Sequence, residues 1–305
     1  MISSERSSSA SPPDEPELLV RAALVSKRWY RLISDPGFRR RFCEFHRTPP
    51  MLGCFYTRGS ATEFAATSSV RFPHAVRGNW CATDARHGRV VLHLTDPWDV
   101  ELEVHLVVWD PVTDEQRVLP EPPKPPNHAF PIRCYWTAAV LCATAGGGCN
   151  NDIDCHHGSF LVVFLCTGSR ETFTSVCSSD SGAWSEPTSV QLRHASVEPG
   201  GPSVLVGNAL YYVCDSFPRR RIIKHDLQKQ ETSLINLPHT RYKDIVLTAM
   251  ADGGLAFAAM HDSKLFIWSR EAGPKAYAGW KQSRVLELDT LLQPIGVQMV
   301  CSWPI

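Results

Sequence analysis

Three stretches of this chain repeat one phrase. VVWDPVTDEQRVLP, IIKHDLQKQETSLINLP and LFIWSREAGPKAYAGW each run from an apolar strand through a polar turn into a second strand. A sheet built from such short strands has two faces and cannot cover both by itself. Copies of it must stack on one another, and that requirement limits the folds open to the chain more than any other feature.

The same grammar runs from Met51 onward. Short runs rich in Val, Leu, Phe, Tyr and Trp alternate with Gly, Asp, Asn and Pro clusters. Strands are predicted at Met51–Tyr56, Arg89–Leu94, Leu102–Trp109, Arg117–Leu119 and Ala138–Ala143, then at Phe160–Leu165, Phe173–Cys177 and Ala183–Trp184. A third group covers Val204–Val206, Ala209–Cys214, Ile222–His225 and Thr232–Leu237, and a fourth Gly254–Met260, Lys264–Trp268 and Trp280–Leu288. Phe160–Leu165 is apolar throughout, as a strand buried on both faces must be. The step from Asp226 to Ser269, about 43 residues, suits one four-stranded propeller blade. The fold class read from this is mainly β, a partial β-propeller of kelch-like type with about four recognisable blades. A β-sandwich or two stacked sheets is the alternative that strand count alone leaves open.

The N-terminal part reads differently. Leu18, Ala22, Val25, Trp29 and Leu32 recur at steps of four and three, which places them on one face of a helix, with Arg21, Lys27, Arg28 and Arg31 on the other. Ser34-Asp35-Pro36 resets the chain: Pro36 suits a first helical turn, and Ser34 or Asp35 can cap it. Phe38, Phe42 and Phe45 form a second stripe, ended by Thr48-Pro49-Pro50. These helices are too short to bury a core alone, so their apolar faces must meet each other, a partner or the following domain.

The run LVRAALVSKRWYRLISDPGFRRRFCEFHRTPPMLGCFY resembles the second half of an F-box and the short bridge that follows it in plant F-box proteins. GRVVL, VVWDPVT, SSDSGAWS, LVGNALYY and LFIW resemble successive blades of the β-propeller-like domain associated with it. The resemblance implies a non-catalytic receptor of a Skp–cullin–F-box ubiquitin ligase. Leu18, Leu19, Leu24, Val25 and Trp29 would contact the Skp-type adaptor, and through it cullin, while the propeller would hold an unknown protein target. The N-terminal MISSERSSSASPPDEPE has no apolar stripe, so the first F-box helix is expected to be missing. The organisation expected is a disordered tail over 1–17, partial F-box helices over 18–50 and a propeller-like domain over 51–305, shortened at its C-terminal end. The reading from another class is a free-standing propeller module, or a defective F-box copy, that binds targets without the ligase.

Lys+Arg and Asp+Glu both number 31, so nothing draws the whole surface to nucleic acid or to an anionic membrane. No apolar run reaches the length of a membrane span. The 11 cysteines form no C-x-x-C pair, and many sit in apolar runs, which fits the cytoplasm or the nucleus. Cys149, Asp152, Asp154, Cys155, His156 and His157 crowd one Gly-rich loop without zinc-site spacing, so neither metal nor cofactor is expected. No G-x-S-x-G, H-E-x-x-H or phosphate-binding loop is present, and no enzyme is expected. Trp98 and Trp136, placed on loops, are the candidate target-binding anchors. The Pro-rich loop from Glu121 to Pro131 is a further one.

Overall fold

The computed structural model describes residues 16–46, 53–58, 61–67, 76–94, 104–124, 135–143, 158–168, 170–192, 195–198, 201–215, 220–238, 242, 244–270 and 279–288. Helices α1 (Pro16–Val25), α2 (Lys27–Ser34) and α3 (Pro36–His46) come first, and each packs on its neighbour in sequence. The single helix expected from Leu18 to Leu32 is in fact two. Ser26 is extended (φ −154°, ψ 148°), and its hydroxyl accepts the Trp29 amide hydrogen at 3.2 Å. A serine that caps the following helix competes with continuing the preceding one, which the apolar spacing does not reveal. The second reset is as expected, with Asp35 as the cap: its carboxylate accepts from Phe38 N at 3.0 Å.

Among the described residues, twenty-one strands follow in five antiparallel sheets. Sheet I holds β1 (Gly53–Arg58), β2 (Ala61–Ala66) and β3 (Val76–Gly78). Sheet II is the meander β4 (Trp80–Arg86), β5 (Arg89–Leu94), β6 (Leu106–Trp109) and β7 (Gln116–Val118). In sheet III, β8 (Tyr135–Cys142), β9 (Phe160–Thr167) and β10 (Glu171–Ser178) are flanked by an outer strand split into β11 (Ala183–Trp184) and β12 (Thr188–Gln191). Sheet IV has β13 (Ser196–Val197) and β14 (Ser203–Val206) sharing one edge of β15 (Ala209–Asp215), then β16 (Arg221–Asp226) and β17 (Glu231–Asn236). Sheet V is β18 (Ile245–Ala249), β19 (Leu255–His261), β20 (Lys264–Arg270) and β21 (Trp280–Glu287). Sheets II to V are the four units read from the sequence.

The sheets stack in chain order, and alternation along each strand does the sorting. On β5, Val91 faces sheet III while Val90 and Leu92 face sheet I. On β8, Ala138 and Val140 face sheet II while Ala139 and Leu141 face sheet IV. On β15, Leu210, Tyr212 and Cys214 face sheet III while Ala209 and Tyr211 face sheet V. Among the described residues, four apolar clusters fill the four gaps. The Phe160 ring adds a polar clasp between sheets II and III, with the guanidinium carbons of Arg89 and Arg117 at 5.0 and 5.7 Å from its centre.

The turns repeat at atomic detail. Asp110 Oδ1 accepts from the amides of Val112 and Thr113, and Asp226 Oδ1 accepts from those of Gln228 and Lys229. The fifth residue of each loop, Asp114 or Gln230, is left-handed, with φ 59° or 56°. Sheet III builds the same loop from Ser178 to Gly182, whose φ is 63°. The echo expected at Ser269 is therefore misplaced: Ser269 lies inside β20, and the third copy of this turn is the Ser178 one.

Left-handed backbone costs about 1–2 kcal/mol for a residue with a Cβ, and more when that carbon is branched. Gln230→Val should lower the unfolding free energy by about that amount while Gln230→Gly does not, as measured by urea denaturation. His225 gives a second check. It is fully buried, its Nδ1 lies 3.0 Å from Thr232 Oγ1, and burial holds its pKa down, from 6.5 to about 4. Its stabilisation is present above pH 6.5 and is lost as pH falls toward 4, by up to about 3 kcal/mol. His225→Gln should flatten the fall in thermal stability across that window.

Candidate protein-binding site

Two regions can meet a partner: the helices and the rims of the stacked sheets. The break at Ser26 shapes the first. α1 ends in Leu24 and Val25, which are 81% and 80% exposed, and Tyr30 one turn later is also exposed. Leu18 is exposed too, while Leu19 and Trp29 are half-buried. The structure thus brings Leu24 and Val25 to the surface at one bend and puts Trp29 in the first turn of α2, its backbone tied to the cap. Phe38 is buried and meets Phe42 with ring centres 5.9 Å apart, so the second stripe is spent on packing except at exposed Phe45.

Trp136 does not lie on a loop. It is on β8, inside the gap between sheets II and III, 4.9 Å from the His93 ring and 5.6 Å from that of Phe164. The correction has a simple cause: Tyr135 and Trp136 continue the strand begun in the sequence reading at Ala138, so the ring alternates into the core. Trp98 lies outside the described residues, as do most of the Pro-rich loop, the 1–15 tail, the Cys149–His157 loop and 289–305. Among the described residues no three His, Cys, Asp or Glu side chains come together as a metal site.

One polar constellation was missed by the sequence reading. Asp84 on β4 follows a β-bulge, where the pairing with β5 shifts between Ala82 and Asp84. Its carboxylate accepts from the amide of Val140 on β8 at 2.8 Å and pairs with Arg86, which also donates to the carbonyl of Ser203 on β14. The two side chains are only 4% and 16% exposed. Burial pushes the Asp84 carboxyl above its usual range, and Arg86 and the amides of Val140 and Ala85 pull against it. Beside it, the hydroxyl of Tyr212, held by burial far above its ordinary range, finds no hydrogen-bond partner among the described residues. This arrangement joins sheets II, III and IV; it offers no open, convergent set of groups for a reaction. The sequence signal available was Asp84-Ala85-Arg86, opposite charges two apart and so on one face of a strand.

A family model described as "F-box protein AT5G49610-like, beta-propeller" matches residues 81–302, well over half of the chain. The chain belongs to this family. A second model, described as F-box-like, matches residues 9–44 and takes in α1, α2 and most of α3. The F-box β-propeller assignment matches the stacked sheets and gives the fold as mainly β, a propeller preceded by short helices. No curated protein matches. Among solved structures, hydrazine synthase of Kuenenia stuttgartiensis is 12% identical, with a TM-score of 0.40 over 77% of this chain and 67% of that one. A prolyl endopeptidase is 13% identical, TM-score 0.39, over 76% of this chain and 34% of that one. The Dos1 propeller is 10% identical, TM-score 0.38, over 74% and 58%.

Arg86→Met would leave the Asp84 carboxylate buried without its cation, a loss of about 3–5 kcal/mol in chemical denaturation. Asp84→Asn added to it should recover part of that loss, because the buried charge is then gone.

Proposed function

We propose that this F-box β-propeller protein is the substrate-recognition subunit of a Skp–cullin–F-box ubiquitin ligase. The observation that carries the reading is the pairing of an F-box-like segment over 9–44 with a propeller over 81–302 in one chain. The exposed Leu24 and Val25 support it, since apolar side chains at a helix bend are suited to a partner's groove. In this reading Leu18, Leu19, Leu24, Val25 and Trp29 contact a Skp-type adaptor, which links to cullin. The propeller holds the target protein, with Trp98 as an anchor.

The protein then performs no chemistry of its own. It raises the effective concentration of target lysines beside the transferring enzyme. Its place of action is the cytoplasm or the nucleus.

The test is binding of the full chain to a Skp-type adaptor. Wild type should bind. Val25→Asp, which puts a charge where an apolar side chain docks, should lower affinity at least about tenfold, and Trp29→Ala should lower it as well. A folded wild-type chain that captures no adaptor would sink the proposal and leave the propeller's own partners as the function.

A further inference from the structure

We propose that the junction of sheets II, III and IV holds one ordered water molecule, bound between the Ser203 hydroxyl on β14 and the Tyr212 hydroxyl on β15. The site involves none of the helical residues and does not depend on the ligase reading.

Strand register puts the two side chains together. Ser203 and Tyr212 are direct partners across the β14–β15 ladder, and direct partners point to the same face of a sheet. Alternation says which face it is. Tyr212 and Leu205 pack in the gap toward sheet III, while Val204, between Ser203 and Leu205, packs toward sheet V. Both residues are buried, Ser203 at 5% exposure and Tyr212 at 1%. Neither hydroxyl has a hydrogen-bond partner among the described residues, so the two do not bond each other. Buried hydroxyls in native proteins are almost always satisfied, because leaving one dry costs more than an ordinary hydrogen bond contributes. A single group that bridges the pair satisfies both at once.

What fits there is small and neutral. A cavity of about 10 Å³ is bordered by Gly201, Pro202 and Tyr212 among others, which is room for about one water molecule. The charges at the junction are already matched: Arg86 pairs with Asp84 and donates to the Ser203 carbonyl, and Asp84 also accepts from the Val140 amide. An added ion would therefore be buried without a counter-charge. Water donates to one hydroxyl while it accepts from the other, and needs no charge to do so. The Thr137 hydroxyl, which donates to the Gly201 carbonyl at 3.1 Å, ties the same segment to sheet III.

The test is a crystal structure of the full chain at a resolution that shows ordered water, with Tyr212→Phe beside the wild type. Urea unfolding of both, of Ser203→Ala and of the double variant goes with it. Tyr212→Phe removes one oxygen and keeps the ring, so the shape of the core is preserved. The wild type should show one water within about 3.2 Å of both oxygens, and Tyr212→Phe should lose it. Each single variant should raise the unfolding equilibrium constant about fivefold. The double variant should raise it by less than the product of the two, because both hydroxyls hold the same molecule. A direct bond between the hydroxyls, or no water within reach of both, would overturn the proposal. So would single variants as stable as the wild type or more so, since deleting a dry hydroxyl costs nothing.

Discussion

A β-sheet of four short strands is apolar on both sides, and nothing inside one sheet can hide either of them. The rest of this molecule answers that constraint. Each interior sheet lends its odd positions to one neighbour and its even positions to the other, as Ile222 and Ile223 do on β16. Because the pleat has a period of two, a one-residue slip would exchange the two faces of a whole strand. The pairing is pinned at the turns, where Asp110, Ser178 and Asp226 close loops of one design.

The strands most visible in the sequence were those buried on both sides. Arg89–Leu94 and Phe160–Leu165 read clearly because of their unbroken apolar runs, Val90 to Leu92 in the first and Phe160 to Leu165 in the second. β2, with ATEFAA, was invisible because alanine and threonine carry little pattern, and β18 followed a polar stretch that masked its start. Trp136 was misread for a related reason: an aromatic at the head of a strand looks like a loop aromatic until the pairing partner, Cys166, is known. The helix break at Ser26 was hidden by a side chain that serves equally well inside a polar face and as a cap.

The candidate site divides along the same line. Leu24 and Val25 were singled out by the resemblance alone, and both are exposed where α1 ends at Val25. The Asp84–Arg86 pair was not legible, because neither the bulge before Asp84 nor its partner Val140 shows in the spacing of the sequence.

Sheet-by-sheet packing in chain order has a consequence for how the protein is made. Neighbouring sheets share their interface with the segment just before them, so a chain leaving the ribosome can consolidate each sheet on the previous one. The Arg86 contact to Ser203 breaks that local pattern, spanning 117 positions. It cannot form until sheet IV has been synthesised. Until then Asp84 and Arg86 have only each other and sheet III, and the nascent domain stays without the contact that ties sheet II to sheet IV.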